Sequence, residues 1–259
     1  MSSNLKYNCI FGGGGIRGLC HIGALKALND LDIKIGAVAG SSVGAVFAGL
    51  HTVGYTTEEL RELFYKTIRA ISNALDTKDS YTNGHSLRVT LYSMILAKEL
   101  NLEEDYMEDI EIAGLLHDIG KIAMPKSILC KNGRLTDEEF LVMKSHPVRG
   151  EKIVINIKKL QMISEWVKSH HEKWDGTGYP DGLAGTGIPL AGRIIALADT
   201  YDAMTSTRPY RTALAHEVAI AEIARCAGTQ FDPELAKKFV SIEAKINAAR
   251  LAPEVEYPK

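Results

Sequence analysis

Residues that could bind metal ions are concentrated between positions 85 and 199 of this 259-residue chain. Five of its eight histidines fall there, in short motifs that also contain aspartate, lysine and glycine. The motifs are Gly84-His85, His117-Asp118-Ile119-Gly120-Lys121, Ser145-His146-Pro147, His170-His171, Gly178-Tyr179-Pro180 and Asp199. Imidazoles and carboxylates are a ligand set for iron, manganese or zinc, and two such ions can activate water against a phosphodiester. The pattern therefore predicts a polynuclear metal site.

The adjacent residues His117 and Asp118 form the centre of this pattern. Neighbouring side chains on a helix point about 100° apart, so the pair can reach two sides of one metal cluster. The two carboxylate oxygens of Asp118 could bridge two ions. Lys121 follows about one turn later on the same face, where its ammonium group could meet a phosphate oxygen. This segment therefore predicts metal binding and phosphate binding together.

The other candidate ligands are expected at helix ends or on an inward helix face. His85 opens a predicted helix, and His146 precedes the break that Pro147 imposes. His170-His171 closes a further helix. Asp199 lies in an apolar helix, where a carboxylate is costly unless it is paired or bound to metal. The predicted helices span residues 57–75, 85–100, 105–120, 136–145, 147–157, 160–170, 190–205, 216–227 and 233–247.

The first 55 residues follow a different pattern. Leu5–Phe11 and Ile35–Ala39 are predicted strands, while Arg17–Asn29 and Val43–Val53 are predicted helices. Strands that alternate with helices indicate a small parallel α/β arrangement. The predicted fold is therefore mainly α, an all-helical bundle preceded by an α/β fragment. The predicted domains are the fragment at 1–66, the helical domain at 67–245 and a frayed tail at 246–259.

Composition restricts the class of partner and the compartment. The chain is 46% apolar and 24% charged with a net charge of −2, so no global field indicates DNA, RNA or an anionic membrane as partner. Its four cysteines form no C-x-x-C pair, which favours a reducing compartment. No signal peptide is recognised, and the apolar stretch Ala37–Leu50 is about 14 residues, too short to span a bilayer. We predict a cytoplasmic protein, for which a homodimer or a signalling partner stays open.

Two glycine motifs stand in the N-terminal fragment. Gly13-x-Gly15-x-x-Gly18 matches a dinucleotide-binding fingerprint, which requires an acidic residue near the end of the second strand. Val38-Ala39-Gly40 supplies none. The turn Gly40-Ser41-Ser42-Val43-Gly44 instead has the G-x-S-x-G pattern that exposes a nucleophilic serine, here Ser42.

Together these motifs make residues 5–66 resemble the patatin-like phospholipase family. The resemblance implies a serine acyl hydrolase with Ser42 as nucleophile and an oxyanion hole formed by Gly13, Gly14, Gly15 and Gly18. The partner aspartate of that family has no counterpart before the helical region begins. A serine without its base is a weak nucleophile, so we interpret the segment as a truncated fragment without lipase activity.

Residues 67–245 resemble the HD-GYP subgroup of the HD-domain phosphohydrolases. The motifs that carry this resemblance are His117-Asp118-Ile119-Gly120-Lys121, His170-His171-Glu172-x-x-Asp175-Gly176-x-Gly178-Tyr179-Pro180 and Ala198-Asp199-x-Tyr201-Asp202-Ala203-Met204-Thr205-Ser206. The resemblance implies hydrolysis of cyclic di-GMP to linear pGpG, or further to GMP, by a metal-activated hydroxide. It also implies a centre of two or three ions, commonly iron or manganese.

The resemblance assigns roles to individual residues of this chain. Asp118 and Lys121 would be catalytic, and Tyr81 stands where three-metal members have a glutamate, so we predict two ions. His85 is then either a ligand or a residue that supports one. The implied metal ligands are His85, His117, Asp118, His146, His170, His171 and Asp199. The implied substrate-binding residues are Lys121, Gly178, Tyr179, Pro180, Arg208 and Arg211.

Three alternatives to a cyclic di-GMP phosphodiesterase remain at this point. The first is a catalytically silent HD-GYP module that binds a cyclic dinucleotide or a protein. The second is a patatin-like serine acyl hydrolase that uses Ser42. The third is a metal-dependent hydrolase of another nucleotide, because the Gly178-Tyr179-Pro180 loop favours cyclic di-GMP by family resemblance alone.

Overall fold

The computed structural model of the chain describes residues 6–11, 19–31, 33–40, 43–78, 84–131, 133–155, 160–207 and 212–252. The chain divides after Thr67 into two compact units, which we call the N-terminal unit and the helical unit. None of the described helices is both long and apolar enough to cross a membrane.

The N-terminal unit is a small parallel α/β arrangement, as predicted. Its elements are β1 (Lys6–Phe11), α1 (Leu19–Asp30), β2 (Lys34–Gly40) and α2 (Val43–Thr52). The two strands pair in parallel from Lys6 opposite Lys34 to Phe11 opposite Gly40. Parallel strands need a crossover connection, and α1 supplies it. Leu25, Ala48 and Leu60 form the buried core of the unit.

The helical unit begins within α3 and contains all later elements. The helices are α3 (Thr57–Lys78), α4 (His85–Glu99), α5 (Glu104–Leu116), α6 (Lys126–Leu129), α7 (Asp137–Met143), α8 (His146–Val154), α9 (Gln161–Ser169), α10 (Leu190–Thr205), α11 (His216–Arg225), α12 (Pro233–Ser241) and α13 (Glu243–Leu251). Short 3₁₀ turns lie at Ile119–Ala123 and Gly185–Gly187. The prediction of a mainly helical fold is confirmed.

Helix α10 lies in the core of the helical unit. Ile194, Ile195, Leu197 and Ala198 are fully buried, which is expected of a helix that is apolar on nearly every side. The helix packs against α4, α9 and α11. It therefore holds the carboxylate that follows Ala198 at a fixed position inside the bundle.

Three sequence predictions of helix extent were wrong. The helix predicted at 105–120 ends at Leu116, because the next residues tighten into the 3₁₀ turn Ile119–Ala123. The helix predicted at 233–247 is two helices, with Ile242 between them. The tail predicted to begin at 246 is helical as far as Leu251, and burial of Ile246 holds α13 to the bundle. The predicted domain boundaries otherwise stay predictions.

Candidate metal centre

Helix ends bring the predicted ligands together inside the helical unit. His85 is the first residue of α4, His117 follows the last residue of α5, and His146 is the first residue of α8. His170 follows the last residue of α9. Side chains at such positions can converge from several directions on one point. The four histidines and Asp118 are between 0% and 5% exposed, so the point of convergence is buried.

Six of the seven predicted ligands fall into two groups, each of which could hold a metal ion. The imidazole group consists of His146, His170 and His171, and the carboxylate group consists of His85, His117 and Asp199. Within each group the potential ligand atoms all lie within 4.8 Å of one another. Nitrogen and carboxylate oxygen ligands at this spacing suit a divalent transition metal.

Asp118 lies between the two groups and presents one oxygen to each. Its Oδ1 is 3.2 Å from Nε2 of His146 in the imidazole group. Its Oδ2 is 3.4 Å from Nε2 of His117 in the carboxylate group. The same Oδ2 accepts a hydrogen bond from Nζ of Lys121 at 2.6 Å. Asp118 could therefore contribute a ligand oxygen to an ion held by either group.

Main-chain carbonyl groups fix the orientation of three imidazoles. Nδ1 of His117 donates to the carbonyl of Gly114 at 2.7 Å. The same bond to the residue three positions earlier links His146 to Met143 at 2.8 Å, and His170 to Val167 at 2.6 Å. A carbonyl oxygen only accepts, so Nδ1 carries the proton and Nε2 keeps its lone pair. That is the ring nitrogen each histidine would offer to a metal.

The uncompensated lone pairs show that the residues fit metal ions. Nε2 of His146 and Nε2 of His170 face each other at 3.3 Å, although both Nδ1 atoms are already donors. Nε2 of His117 is buried and has no hydrogen-bond partner among the described residues. Buried acceptors without donors are costly, and a cation between them removes the cost.

A second layer of side chains supports His85. Its Nδ1 bonds Oδ2 of Asp202 at 2.7 Å, and its Nε2 is 3.3 Å from Oδ1 of Asp199. Asp202 is 1% exposed and also accepts from Arg88 at 2.6 Å. This arrangement groups His85 with the candidate ligands and gives Asp202 the supporting position. Sequence reasoning gave Asp202 no role, although its position three residues after Asp199 on the same helix was a usable signal.

A further buried carboxylate fixes the start of α4. Asp76 on α3 accepts from the backbone amide of Ser86 at 3.1 Å and from the Ser86 hydroxyl at 2.9 Å. Gly84, which precedes the helix, has a φ of 68° that favours glycine. These contacts determine where His85 enters the centre.

The two groups differ in the pKa values of their histidines. Burial lowers the pKa of His85, but the hydrogen bonds to Asp199 and Asp202 outweigh burial and raise the pKa to about 10. Burial, reinforced by repulsion from His146, lowers the pKa of His171 to about 3. Burial would raise the pKa of Asp118, yet Lys121 and the nearby histidines hold that pKa well below its usual value. Asp118 is therefore ionised between the groups.

Two close backbone contacts explain glycines in the motifs. A side chain at Gly120 would collide with the carbonyl of His146 and the amide of Gly150, so glycine lets the 3₁₀ turn pack against α8. A side chain at Gly178 would collide with the backbone of Glu172 and Lys173. Both contacts keep motif residues beside the candidate ligands.

The buried carboxylate of Glu172 holds the loop that contains Tyr179. It accepts from the amides of Asp181 at 2.7 Å and Leu183 at 3.1 Å. The Tyr179 ring stacks on His171, with the ring centroids 4.9 Å apart and the planes inclined by 31°. The loop is therefore fastened to the imidazole group.

A cavity of about 440 Å³ opens onto the centre. Lys121 and Tyr179 line it together with His85, Asp118 and Asp199. Gly178 and Pro180, which were predicted to bind substrate, are not among the described residues that line it. They flank Tyr179 and shape the loop that places its ring.

Several sequence predictions concern residues outside the described ranges. They are Arg208, Arg211, Tyr81, Ser42, Gly13, Gly14, Gly15 and Gly18. The structure therefore neither places the two arginines beside the cavity nor describes the predicted oxyanion loop and elbow.

Residues 69–235 match the HD domain family, so the chain belongs to that family. The match begins after the patatin-like segment, and the comparisons with known proteins give that resemblance no support. A protein named cyclic di-GMP phosphodiesterase from Vibrio cholerae is 38% identical over 214 residues, 77% of this chain and 44% of that protein.

Two further comparisons extend this result. A 3′3′-cGAMP-specific phosphodiesterase 2 from Vibrio cholerae is 33% identical over 241 residues, 90% of this chain and 45% of that protein. A crystal structure of a cyclic GMP-AMP-specific phosphodiesterase of the same organism shares the fold with a TM-score of 0.56 and 21% identity, over 72% of this chain and 50% of that chain. The chain spans about half the length of the curated relatives it matches.

Proposed function

We propose that the chain is an HD-GYP phosphodiesterase that hydrolyses cyclic di-GMP to linear pGpG. The position of Asp118 between two groups of candidate ligands is the observation that supports this most directly. The motifs of the HD-GYP subgroup and the relatives named cyclic di-GMP phosphodiesterases favour the substrate. The linear product still contains a phosphodiester that the same centre could cut to GMP.

The proposed cofactors are two divalent ions, iron or manganese. His85, His117 and Asp199 would hold one ion, and His146, His170 and His171 the other, with Asp118 shared between them. The set contains nitrogen and oxygen donors without a thiolate, which suits these metals. When bound, such ions lower the pKa of water and polarise phosphate oxygens.

The protein side chains bind and orient the substrate and compensate its charge. Lys121 lines the cavity and donates to Asp118, which places its ammonium group beside the position expected for the scissile phosphate. It would offset the negative charge that builds up in the transition state. Arg208 and Arg211 are proposed to contact the other phosphate or the bases. Tyr179 would form one side of the base-binding region.

The competing substrate is 3′3′-cGAMP. It is favoured by the relative named 3′3′-cGAMP-specific phosphodiesterase 2, which aligns with 90% of this chain. Both molecules have the same phosphodiester ring and differ in one purine. Parallel measurement of kcat/KM for the two substrates decides between them, and a higher value for 3′3′-cGAMP would replace cyclic di-GMP as the proposed substrate.

The decisive experiment compares the wild type with Asp118→Ala after anaerobic loading with iron or manganese. We expect about two ions per wild-type chain and a loss of both ions and turnover in the variant, because Asp118 serves both groups. Asp105→Ala is the matched control, since Asp105 is an exposed aspartate on α5. A loaded wild type that binds cyclic di-GMP without cleaving it would contradict the enzyme and indicate the silent module.

A further inference from the structure

The cavity has two chemically different walls. One wall carries the candidate metal ligands and Lys121. The other wall is formed by α6, α7 and the segment between them. Its lining residues are mostly apolar, namely Ile128, Leu129, Leu135, Phe140 and Met143, and its one charged member among the described residues, Lys131, is paired with Glu139. A molecule that fills this space should therefore have a charged part for the first wall and an apolar part for the second.

Phe140 is the aromatic residue of the apolar wall. The residue is 46% exposed although it lines a cavity, so the protein covers the ring only in part. Its neighbour Leu141 is 67% exposed and is not among the described residues that line the cavity. A comparison of substitutions at Phe140 and Leu141 therefore distinguishes loss of a cavity contact from loss of an exposed apolar side chain on α7.

The backbone that carries Phe140 is fixed in position. The side chain of Glu139 accepts from the amide of Thr136 at 2.7 Å and from Nζ of Lys131 at 2.6 Å. The amide of Glu139 donates to the hydroxyl of Thr136, which completes a capping box at the start of α7. Because this backbone is already ordered, binding of a planar group to the ring does not have to order it.

Lys144 connects Phe140 to the wall that contains Tyr179. Its ammonium nitrogen is 5.0 Å from the centroid of the Phe140 ring and 5.1 Å from that of Tyr179. The Tyr179 ring in turn stacks on His171. A continuous row of aromatic and cationic groups thus leads from the imidazole group to the Phe140 ring.

We propose that Phe140 is a stacking platform for one purine base of the cyclic dinucleotide, with Lys144 and Tyr179 fixing the ring. The inference rests on the proposed function, because the phosphate at the metal centre would direct the base toward this wall. Stacking uses the π face that every base has, so the platform contributes affinity and not a choice between guanine and adenine.

The test compares wild type, Phe140→Ala and Phe140→Trp, with Leu141→Ala as the matched control. We expect Phe140→Ala to raise KM for cyclic di-GMP about tenfold with kcat nearly unchanged, and Phe140→Trp to restore KM. Turnover of methyl p-nitrophenyl phosphate, a small phosphodiester without a purine, should be unaffected by any of the three substitutions. Calorimetric binding of the phosphorothioate analogue of cyclic di-GMP measures affinity separately from cleavage.

The outcomes separate this inference from the proposed activity. If the wild type binds cyclic di-GMP without cleaving it, and Phe140→Ala binds it more weakly, the platform is supported and the phosphodiesterase is overturned. An unchanged KM and dissociation constant in Phe140→Ala overturns the platform and leaves the phosphodiesterase intact. Equal losses with both phosphodiesters would show that Phe140 supports the fold of the centre, which also overturns the platform. A wild type that neither binds nor cleaves cyclic di-GMP overturns both.

Discussion

The imidazole group and the carboxylate group on either side of Asp118 differ in the chemistry that holds one histidine, His85. In the imidazole group, neutral carbonyl oxygens hold His146 and His170. In the carboxylate group, a carbonyl oxygen likewise holds His117, but the ionised Asp202 holds His85. A neutral acceptor fixes the direction of the ring without adding charge, whereas a carboxylate also makes the ring a stronger base.

The difference appears in how strongly each group holds protons. His171 has a pKa of about 3 and is neutral at ordinary pH, so a metal ion meets lone pairs that are already available. His85 has a pKa of about 10, so a metal ion must displace a proton there. One centre thus combines His171, which binds a proton weakly, with His85, which binds a proton firmly.

The largest expected effect comes from removing one imidazole from each group. His117→Ala and His170→Ala should each lower the metal content by about one ion and reduce turnover about a thousandfold, since each ion stabilises the transition state by several kcal/mol. Metal analysis and initial rates check this, with His51→Ala on α2 as a control outside both groups. If either variant loses both ions, the groups are not separate binding sites and the comparison fails.

A smaller effect is expected from Asp202→Asn. The amide can still accept a hydrogen bond from Nδ1 of His85, but it lacks the charge that strengthens the ring as a base. We expect the metal affinity of the carboxylate group to fall about tenfold to hundredfold, while the imidazole group keeps its affinity. Competition with a chromogenic chelator measures both affinities. Asp181→Asn is the control, because Asp181 is an exposed carboxylate that pairs with Lys168; equal weakening by both variants would exclude a specific role for Asp202.

The smallest effect concerns stability against pH in chelator-treated protein. The folded pKa of His85 lies above its unfolded value of 6.5, so its stabilising contribution is complete below pH 6.5 and is lost as pH rises towards 10. The folded pKa of His171 lies below its unfolded value, so this residue destabilises the protein as pH falls below 6.5. Urea unfolding at a series of pH values checks both slopes.

Single variants assign the two slopes to their groups. His85→Gln should remove only the loss of stability at alkaline pH. His171→Gln should remove the contribution of His171 to the loss of stability at acid pH. If His85→Gln leaves the alkaline slope unchanged, the pKa contrast between the groups is wrong.

The sequence predicted the fold class and the set of candidate ligands because both depend on local patterns. Apolar periodicity predicted α10 with its observed ends, and an aspartate inside that apolar run indicated Asp199. The division of 233–247 at Ile242 could not be predicted, because it depends on packing against other helices. The supporting role of Asp202 was missed for a related reason, since His85 lies 117 positions away and is brought near by folding.

The roles of the predicted ligands stay predictions, but the structure explains how they could work together. No local pattern states that one oxygen of Asp118 faces His117 and the other faces His146. That arrangement depends on the contact between the 3₁₀ turn at Gly120 and the start of α8. The sequence shows the glycine at 120, but it does not show that the backbone of His146 and Gly150 lies against it.

The bonds from His117, His146 and His170 to carbonyls three residues earlier determine which substitutions preserve the ring directions. The acceptor in each bond is a main-chain carbonyl, so the bond itself requires no particular side chain at 114, 143 or 167. Ring direction then depends on the path of the backbone and not on the identity of a neighbouring side chain. A substitution at 143 or 167 that preserves the path of the backbone therefore preserves the ring direction, whereas a side chain at 114 would collide with Thr90.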